Sequence, residues 1–202
     1  MTIRKGEAWG APGPLPDDGV VVRTDAEARR ALESARRDGR PWPVLGLLGG
    51  DLGRTLAAPG SEARLRSAEA MTFALDLGQV LVDGRLHLFV AHLVARNRWW
   101  TRAVVAMNAQ WVGPWNLGPK AHPNDGRLDT FDARLPLGDL WKVRRRLPTG
   151  SHLPHPGITS RRATSVTFEL ERPLPVRLDG EVVDRGRVLA VRLEPDALRV
   201  VI

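Results

Sequence analysis

A glycine-rich stretch that follows an apolar run is the first place where the sequence could do chemistry. Residues 44–56 read VLGLLGGDLGRTL, as if a short strand delivered the chain into a turn that could cradle a phosphate. A Walker-type loop needs the spacing G-x-x-x-x-G-K-[ST], and a dinucleotide site needs G-x-G-x-x-G. Neither pattern is present. From the residues alone, an ordinary turn after a strand is the favoured interpretation.

Two acidic turns offer a different chemistry. Residues 120–129 (KAHPNDGRLD) bring carboxylate and carbonyl oxygens into a tight loop, which could hold a hard cation such as Mg²⁺ or serve only as turn chemistry. Residues 178–181 (LDGE) lie between two strand-like runs, and composition alone favours a hairpin turn with solvated acids. His152 and His155 have a spacing that zinc could use, but no third ligand is near in the sequence, so we expect no metal there.

The elements that position these turns begin with a helix. Thr24-Asp25-Ala26-Glu27 is a capping box, which predicts a helix over about 25–37 that Gly39 closes. Residues 44–48 predict a short buried strand, and a weaker helical pattern follows near 61–68. Residues 1–19 are rich in glycine and proline and predict an irregular lead-in.

From Thr72 onward the pattern changes to strands. Two apolar runs at 72–82 and 85–95 flank Asp83-Gly84, a strong hairpin signal. Further strands are predicted at about 103–112, 127–134, 164–170, 175–183, 187–193 and 197–202. One helix interrupts them at about 137–147, with four apolar residues assigned to one face: Leu137, Leu140, Trp141 and Leu147.

These patterns predict an α+β fold with two parts. Residues 70–202 are predicted to form a mostly antiparallel β-sandwich. Residues 1–69 are predicted to form a small, truncated N-terminal α/β segment packed on it.

Composition excludes several classes of protein. The 202 residues contain no cysteine, which excludes disulfides, thiolate metal sites and cysteine nucleophiles. No apolar run approaches the roughly 20 residues of a transmembrane helix, and the start MTIRKGEAWG lacks the apolar segment of a signal peptide, so we expect a cytoplasmic protein without a transmembrane segment. The net charge is +7, but 27 of the 30 basic residues are arginine, which codon composition can explain. Nucleic-acid binding through residues 144–146 and 161–162 is therefore not expected.

Read together, three segments resemble the C-terminal half of the diacylglycerol kinase and sphingoid-base kinase superfamily of lipid kinases. They are AVVAMNAQWVGPWNLGPKAHPNDGRLD at 103–129, GSHLPHPGI at 150–158 and LPVRLDGEVV at 174–183, and LDLGQV at 75–80 looks like the entry to the same domain. The resemblance covers about residues 70–202. It implies the sandwich predicted above and a link to ATP-dependent phosphorylation of a lipid hydroxyl.

The resemblance also reinterprets the glycine-rich stretch. In this family a G-G-D-G-[TS] loop holds the nucleotide phosphates, and a later G-T-G-N-D-[FL]-A-R-T-L segment joins the two domains. Residues 46–60 are similar to the later segment, with Asp51, Arg54 and Thr55 as matching candidates on the nucleotide side. Asn108, in its matching strand, is a further candidate of this kind. Residues 1–43 offer no G-G-D-G, so ATP binding is not expected without a partner chain.

Catalytic and metal candidates follow only from the same resemblance. It implies that Glu181, in the D-G-E turn, is the general base for the lipid hydroxyl, and Asp179 of the same turn is carried over with it. It implies that Asp125 holds a structural Mg²⁺, helped by backbone oxygens of His122 and Arg127.

Two functions remain open at this point. The first is a non-catalytic domain that binds a lipid, another anionic ligand or a partner protein. The second is a lipid kinase whose ATP site is completed by a separate kinase-domain chain or by a second copy in a homodimer. Peripheral attachment to a membrane is left open, because Trp99, Trp100, Trp111 and Trp115 could form either an apolar surface or part of the core.

Overall fold

Two parallel strands and a helix form the base of the N-terminal part in this computed structural model, which describes residues 9–202. Its elements are β1 Gly10–Pro12, β2 Val20–Val22, α1 Asp25–Arg37, β3 Leu45–Leu47, α2 Gly50–Thr55 and α3 Glu62–Leu65. Strands β2 and β3 pair in parallel. The predicted irregular lead-in is irregular only in part, because β1 pairs with a later strand. Its first eight residues, on which the expectation of no signal peptide rested, lie outside the described part of the chain.

Helix α1 begins where the capping box predicts. The Thr24 hydroxyl accepts a hydrogen bond from the amide of Glu27 (3.2 Å), and the Glu27 carboxylate accepts from the amide of Arg23 (2.7 Å). Gly39 has φ +63°, the left-handed conformation that ends a helix at low cost. Both ends of α1 are thus fixed by local sequence.

The rest of the chain is one helix among long antiparallel strands. The elements are β4 Met71–Val82, β5 Arg85–Phe89, β6 His92–Arg96, β7 Arg102–Met107, β8 Trp111–Val112, β9 Trp115–Asn116, β10 Leu128–Arg134, α4 Leu137–Arg146, a 3₁₀ turn Leu147–Thr149, β11 Ile158–Ala163, β12 Ser165–Leu178 and β13 Glu181–Val201. The main sheet has the order β1-β4-β13-β12-β6-β7-β10-β11. It forms the predicted mostly antiparallel sandwich.

Several strand boundaries differ from the sequence prediction. The run 85–95 is two strands, β5 and β6, because Val90 and Ala91 leave the ladder. By contrast, β12 and β13 are each a single long strand where the sequence predicts two shorter ones. Their register shifts between Glu169 and Leu174 and between Glu194 and Leu198, so irregular pairing takes the place of the predicted breaks.

The buried side chains form two large layers. Buried side chains from the strands β4 to β13 fill the interior of the sandwich, among them Phe89, Phe168 and Leu189. A second cluster lies between α1, α2 and the sheet, where Leu32 and Leu47 pack with Leu77 and Val200. The N-terminal part is therefore joined to the sheet by a shared apolar core.

Helix α4 covers a third, smaller cluster, and its buried face differs from the predicted one. Val143 and Leu147 are buried, and Leu140 packs beside them. Leu137 and Trp141, which we had assigned to the same face, are exposed. None of the described helices is long and apolar enough to cross a bilayer.

Candidate functional site

The starts of α1 and α2 lie side by side because each helix follows one of the parallel strands β2 and β3. Asp25, the first residue of α1, reaches the start of α2. Its carboxylate accepts hydrogen bonds from the amides of Asp51 (2.6 Å) and Leu52 (3.1 Å). The positive end of a helix dipole stabilises an anion at this place. A side chain of the protein therefore occupies the start of α2.

Asp51 connects this pair to the sandwich. Its Oδ2 lies 2.9 Å from Nε2 of His92, the first residue of β6. Both carboxylate oxygens also lie 3.0 Å from the amide of Gly113, at the tip of the β8–β9 hairpin. His92 is only 2% exposed, so the interaction is shielded from water.

Asp179 is the third carboxylate of the cluster. It lies in the turn between β12 and β13, and its carboxylate accepts from the amides of Val90 (3.0 Å), Ala91 (2.8 Å) and His92 (3.2 Å). These three backbone amides, at the junction of β5 and β6, thus find their hydrogen-bond acceptor in the Asp179 side chain. Asp179 fixes the backbone from which the His92 ring projects.

Burial and mutual charge set the protonation of this group. Burial and the nearby Asp179 carboxylate raise the pKa of Asp25 to about 7. Burial likewise raises the pKa of Asp179. Burial lowers the pKa of His92, but the hydrogen bond to Asp51 and the surrounding carboxylates outweigh it, so the pKa is raised. Two acids, Asp25 and Asp179, and the His92 imidazole thus hold their protons to higher pH than they would in water.

Asp51 is the acid of the cluster that stays ionised. Burial raises the pKa of Asp51, but hydrogen bonds from His92 and the Gly113 amide outweigh burial and the pKa is lowered. One ligand atom each from Asp25, Asp51 and His92 lies within 4.8 Å of the others, a spacing that a cation site can use. All three side chains already have hydrogen-bond partners within the protein.

Glu181, the predicted general base, lies two residues beyond Asp179 and is about half exposed. Its carboxylate pairs with Arg29 (2.7 Å) and Arg30 (2.5 Å) of α1. The hydrogen bond from Arg30 and the charge of both guanidinium groups lower the pKa of Glu181. A carboxylate held this way is a weak proton acceptor. Glu181 would have to leave this pairing to act as a base.

The predicted nucleotide-side residues divide into two places. The Thr55 hydroxyl donates to the backbone oxygen of Asp51 (2.8 Å) and accepts from the amide of Gln110 (3.0 Å). Arg54 donates to the Gly113 oxygen (3.0 Å), and its guanidinium lies 3.4 Å from the centre of the Trp111 ring. Together with Asp51, these two residues hold the β8–β9 hairpin.

Asn108 lies apart from them, in the sheet. Its amide nitrogen donates to the backbone oxygens of Asp76 (2.9 Å) and Val90 (2.8 Å). The side chain is fully buried, and these bonds link the end of β7 to β4 and β5. In this position Asn108 supports the backbone and not an open binding site.

The predicted metal residues belong to a second acidic turn. The carboxylate of Asp125 accepts from the amide of Arg127 (3.0 Å) and pairs with the guanidinium of Arg162. The His122 ring packs against Trp9, with 4.8 Å between ring centres. Because Arg162 already pairs with Asp125, a Mg²⁺ ion bound at this carboxylate would have to displace a guanidinium group.

Asp76 lies beneath this turn and was not predicted from the sequence. It accepts from the amides of Gly126 (2.8 Å) and Asp196 (3.0 Å). Burial raises its pKa to about 6, with a contribution from Asp125. Asp76 therefore ties the loop 122–127 to the sandwich, as Asp179 ties 90–92.

Asp25 and His92 were also missed from the sequence. The sequence around Asp25 indicates only that it follows a helix N-cap residue, Thr24. His92 lies in an apolar run where a histidine is ordinarily structural. The pairing of both with Asp51 depends on strands that are distant in the sequence.

Comparisons with known proteins agree with the fold. The family model described as the YegS C-terminal NAD kinase beta sandwich-like domain matches residues 65–202. A search of the curated proteins found no match.

Solved structures share the fold. A Bacillus anthracis str. Sterne protein assigned as a diacylglycerol kinase has a TM-score of 0.67 at 16% identity, over 91% of this chain and 77% of that chain. A diacylglycerol kinase structure from the same organism has a TM-score of 0.55 at 16% identity, over 79% of this chain and 69% of that one. At this identity the likeness establishes the fold alone. Because the family model spans more than half of the chain, the protein belongs to the family of the YegS C-terminal NAD kinase beta sandwich-like domain.

Proposed function

We propose that this chain is a kinase-derived binding domain that does not transfer phosphate from ATP by itself. The observation that carries the proposal is the Asp25 carboxylate at the start of α2, where it accepts from the amides of Asp51 and Leu52. Backbone amides at a helix start are the groups that commonly hold nucleotide phosphates. Here a negative charge or a protonated acid already fills that place.

The start of α1 supports the same conclusion. The turn between β2 and α1 is Arg23-Thr24-Asp25 and contains no glycine. The amide of Glu27 donates to Thr24, and the amide of Arg23 donates to Glu27. A phosphate would have to compete with the protein's own oxygens at both helix starts. Phosphoryl transfer depends mainly on positioning the ATP phosphates and neutralising their charge. A site whose helix-start amides are already occupied offers few free donors for either task.

The role that remains is binding, to a lipid, another anionic ligand or a partner chain. The candidate base Glu181 is consistent with this role, because two arginine side chains hold it. Mg²⁺ stays a candidate only at Asp125, where it would compete with Arg162.

A kinase assay tests the proposal. The purified chain is incubated with radiolabelled ATP, Mg²⁺ and either diacylglycerol or a sphingoid base, with Glu181→Gln as the matched control. We expect no phosphorylated lipid above the level of the variant, and no binding of ATP by calorimetry. Turnover in the parent that Glu181→Gln abolishes would overturn the proposal.

One observation favours a second candidate, a lipid kinase completed by another chain. Asp51, Asp179 and Glu181 lie around the same junction of α1, α2 and the β12–β13 turn, and the Glu181 side chain is about half exposed. If a second copy completes the site, specific activity should rise with protein concentration. Activity that appears only after a chain bearing G-G-D-G is added would instead identify a separate partner.

A further inference from the structure

Helix α4 carries apolar side chains on its outer face as well as its inner one. Leu137 is 67% exposed and Trp141 is 56% exposed. They are four residues apart, so they lie on the same side of the helix. A helix on the surface of a protein normally presents polar residues to water. This outer face therefore needs an explanation other than packing within the chain.

The turn between β6 and β7 adds a second exposed aromatic residue. Trp99 is 63% exposed, whereas its neighbour Trp100 turns inward against Trp115, with 5.5 Å between ring centres. The Asn97 side chain donates to the Thr101 hydroxyl (2.6 Å) and fixes the turn. The turn holds Trp99 outward.

The turn and the helix are neighbours. The amide of Leu135, just before α4, donates to the backbone oxygen of Thr101 (2.9 Å). The guanidinium of Arg144 lies 5.6 Å from the centre of the Trp115 ring, which in turn contacts Trp100. The turn and the helix are therefore adjacent, and we call their exposed apolar residues and the arginine side chains beside them the turn–helix surface: Trp99, Leu137, Trp141, Arg98, Arg144 and Arg145.

Positive charge accompanies each exposed tryptophan. Arg98 lies 5.1 Å from the ring centre of Trp99, and Arg145 lies 5.8 Å from that of Trp141. The acidic residue on α4, Asp139, is paired with Lys142 (3.1 Å). The turn–helix surface thus combines apolar rings with arginine side chains and little compensating negative charge.

We infer that the turn–helix surface binds the surface of an anionic lipid bilayer. Tryptophan favours the boundary between headgroups and acyl chains, and each nearby arginine or lysine adds electrostatic attraction to anionic lipid. A second copy of the chain is a poorer occupant, because a symmetric contact would bring the same arginine side chains together. The inference deepens and rests on the binding role proposed above, by naming the partner and the surface.

Vesicle sedimentation tests the inference with the full chain. The vesicles are pure phosphatidylcholine or phosphatidylcholine with phosphatidylglycerol, and the key variant is Trp99→Ala/Trp141→Ala. We expect the parent to bind the anionic vesicles and not the neutral ones, and the double variant to bind roughly tenfold more weakly. Both residues are exposed, so the variant should melt at the temperature of the parent.

Two matched controls distinguish binding through this surface from non-specific adsorption to vesicles. Leu81→Ala removes an exposed apolar residue elsewhere, and Arg36→Gln/Arg37→Gln removes exposed charge from the end of α1. Both should bind anionic vesicles like the parent. Failure of the parent to bind them, or equal binding by the double tryptophan variant, would overturn the inference.

Two further measurements, of DNA binding and of lipid phosphorylation, distinguish the remaining explanations. Binding to single-stranded DNA that matches vesicle binding and ignores the tryptophan changes would also overturn it, because charge alone would then be responsible. ATP-dependent phosphorylation of diacylglycerol added to the same vesicles would overturn the non-catalytic proposal and leave membrane binding standing.

Discussion

The Asp25 carboxylate is the residue that most changes what the site can do. It accepts from two amides at the start of α2 and faces the buried Asp179. An aspartate in the unfolded chain has a pKa near 3.8, whereas burial raises the pKa of Asp25 in the folded protein to about 7. The folded chain therefore binds one more proton over that range, so the stability that Asp25 contributes falls as the pH rises from about 4 to about 7.

We predict that Asp25→Asn removes this pH dependence. Relative to the variant, the parent should be more stable at pH 5 than at pH 8, by on the order of 2 kcal/mol. Urea unfolding of both proteins at the two pH values measures the difference. A parent–variant difference that is the same at pH 5 and pH 8 would contradict the prediction.

Asp38→Asn is the matched control for this experiment. Asp38 is exposed at the end of α1, and the hydrogen bond from Arg40 lowers its pKa. Its proton is therefore lost below pH 5 in both states. The difference between the parent and this variant should not change between pH 5 and pH 8.

At the scale of residues, the sequence predicts chemistry only where the signal is local or the family motif is intact. Asp51, Asp179 and Glu181 were found through the resemblance, and the first two meet at His92 as parts of one cluster. Asp25 was not found, because its acceptor role depends on amides 26 and 27 positions away. No local pattern reports such a contact.

At the scale of elements, β4 shows how one glycine sets a strand's packing. Gly78 pairs with Phe89 across the β4–β5 hairpin. A Cβ added at Gly78 would lie 2.3 Å from atoms of the Phe89 ring. The ring therefore rests directly on the backbone of β4, inside the sandwich core.

We predict that Gly78→Ala destabilises the protein by about 1–3 kcal/mol, because the Phe89 ring must move in a packed core. Gly138→Ala is the matched control: Gly138 lies in α4, and an added Cβ meets nothing within 4 Å. That change should be neutral or stabilise by up to about 1 kcal/mol. Equal free energies of unfolding for the two variants would show that the Phe89 contact is unimportant.

Elements with local signals were predicted well, and those held by distant partners were not. The capping box predicted α1, and Asp83-Gly84 predicted the β4–β5 hairpin. Asp83 and Gly84 both have positive φ in the turn. Helix α2 was missed because it contains Gly50 and Gly53 and its start is satisfied by Asp25. The face of α4 was wrong because Leu137 and Trp141 are apolar yet exposed.

At the scale of the whole molecule, the N-terminal part and the sandwich share one sheet and one core. Strand β3 pairs in parallel with the end of β13, at Val200 and Val201. Leu32 and Leu47 from the first part pack with Leu77 from the second. The predicted boundary between residues 69 and 70 therefore crosses a continuous apolar layer, and the division of the chain at this point stays a prediction.

We predict that residues 70–202 alone do not reach the native state. Removal of α1, β3 and α2 would expose the apolar face of β4 and the end of β13, leaving a large unpaired edge. The isolated fragment should show poor dispersion in an amide NMR spectrum, in contrast to the full chain. Adding residues 1–69 as a separate peptide should restore it, and a well-dispersed spectrum of 70–202 by itself would sink the prediction.

Strand β13 gives the fold its order of assembly during synthesis. It follows every other described strand along the chain, yet it pairs with β3, β4 and β12 in the middle of the sheet. Its partners on β4 lie more than a hundred residues earlier. While the ribosome is still making the chain, β4 must wait without its central neighbour. The sandwich core can therefore close only after β13 has been made, and a nascent chain stalled before Glu181 should depend on chaperones to keep its apolar strands from aggregating.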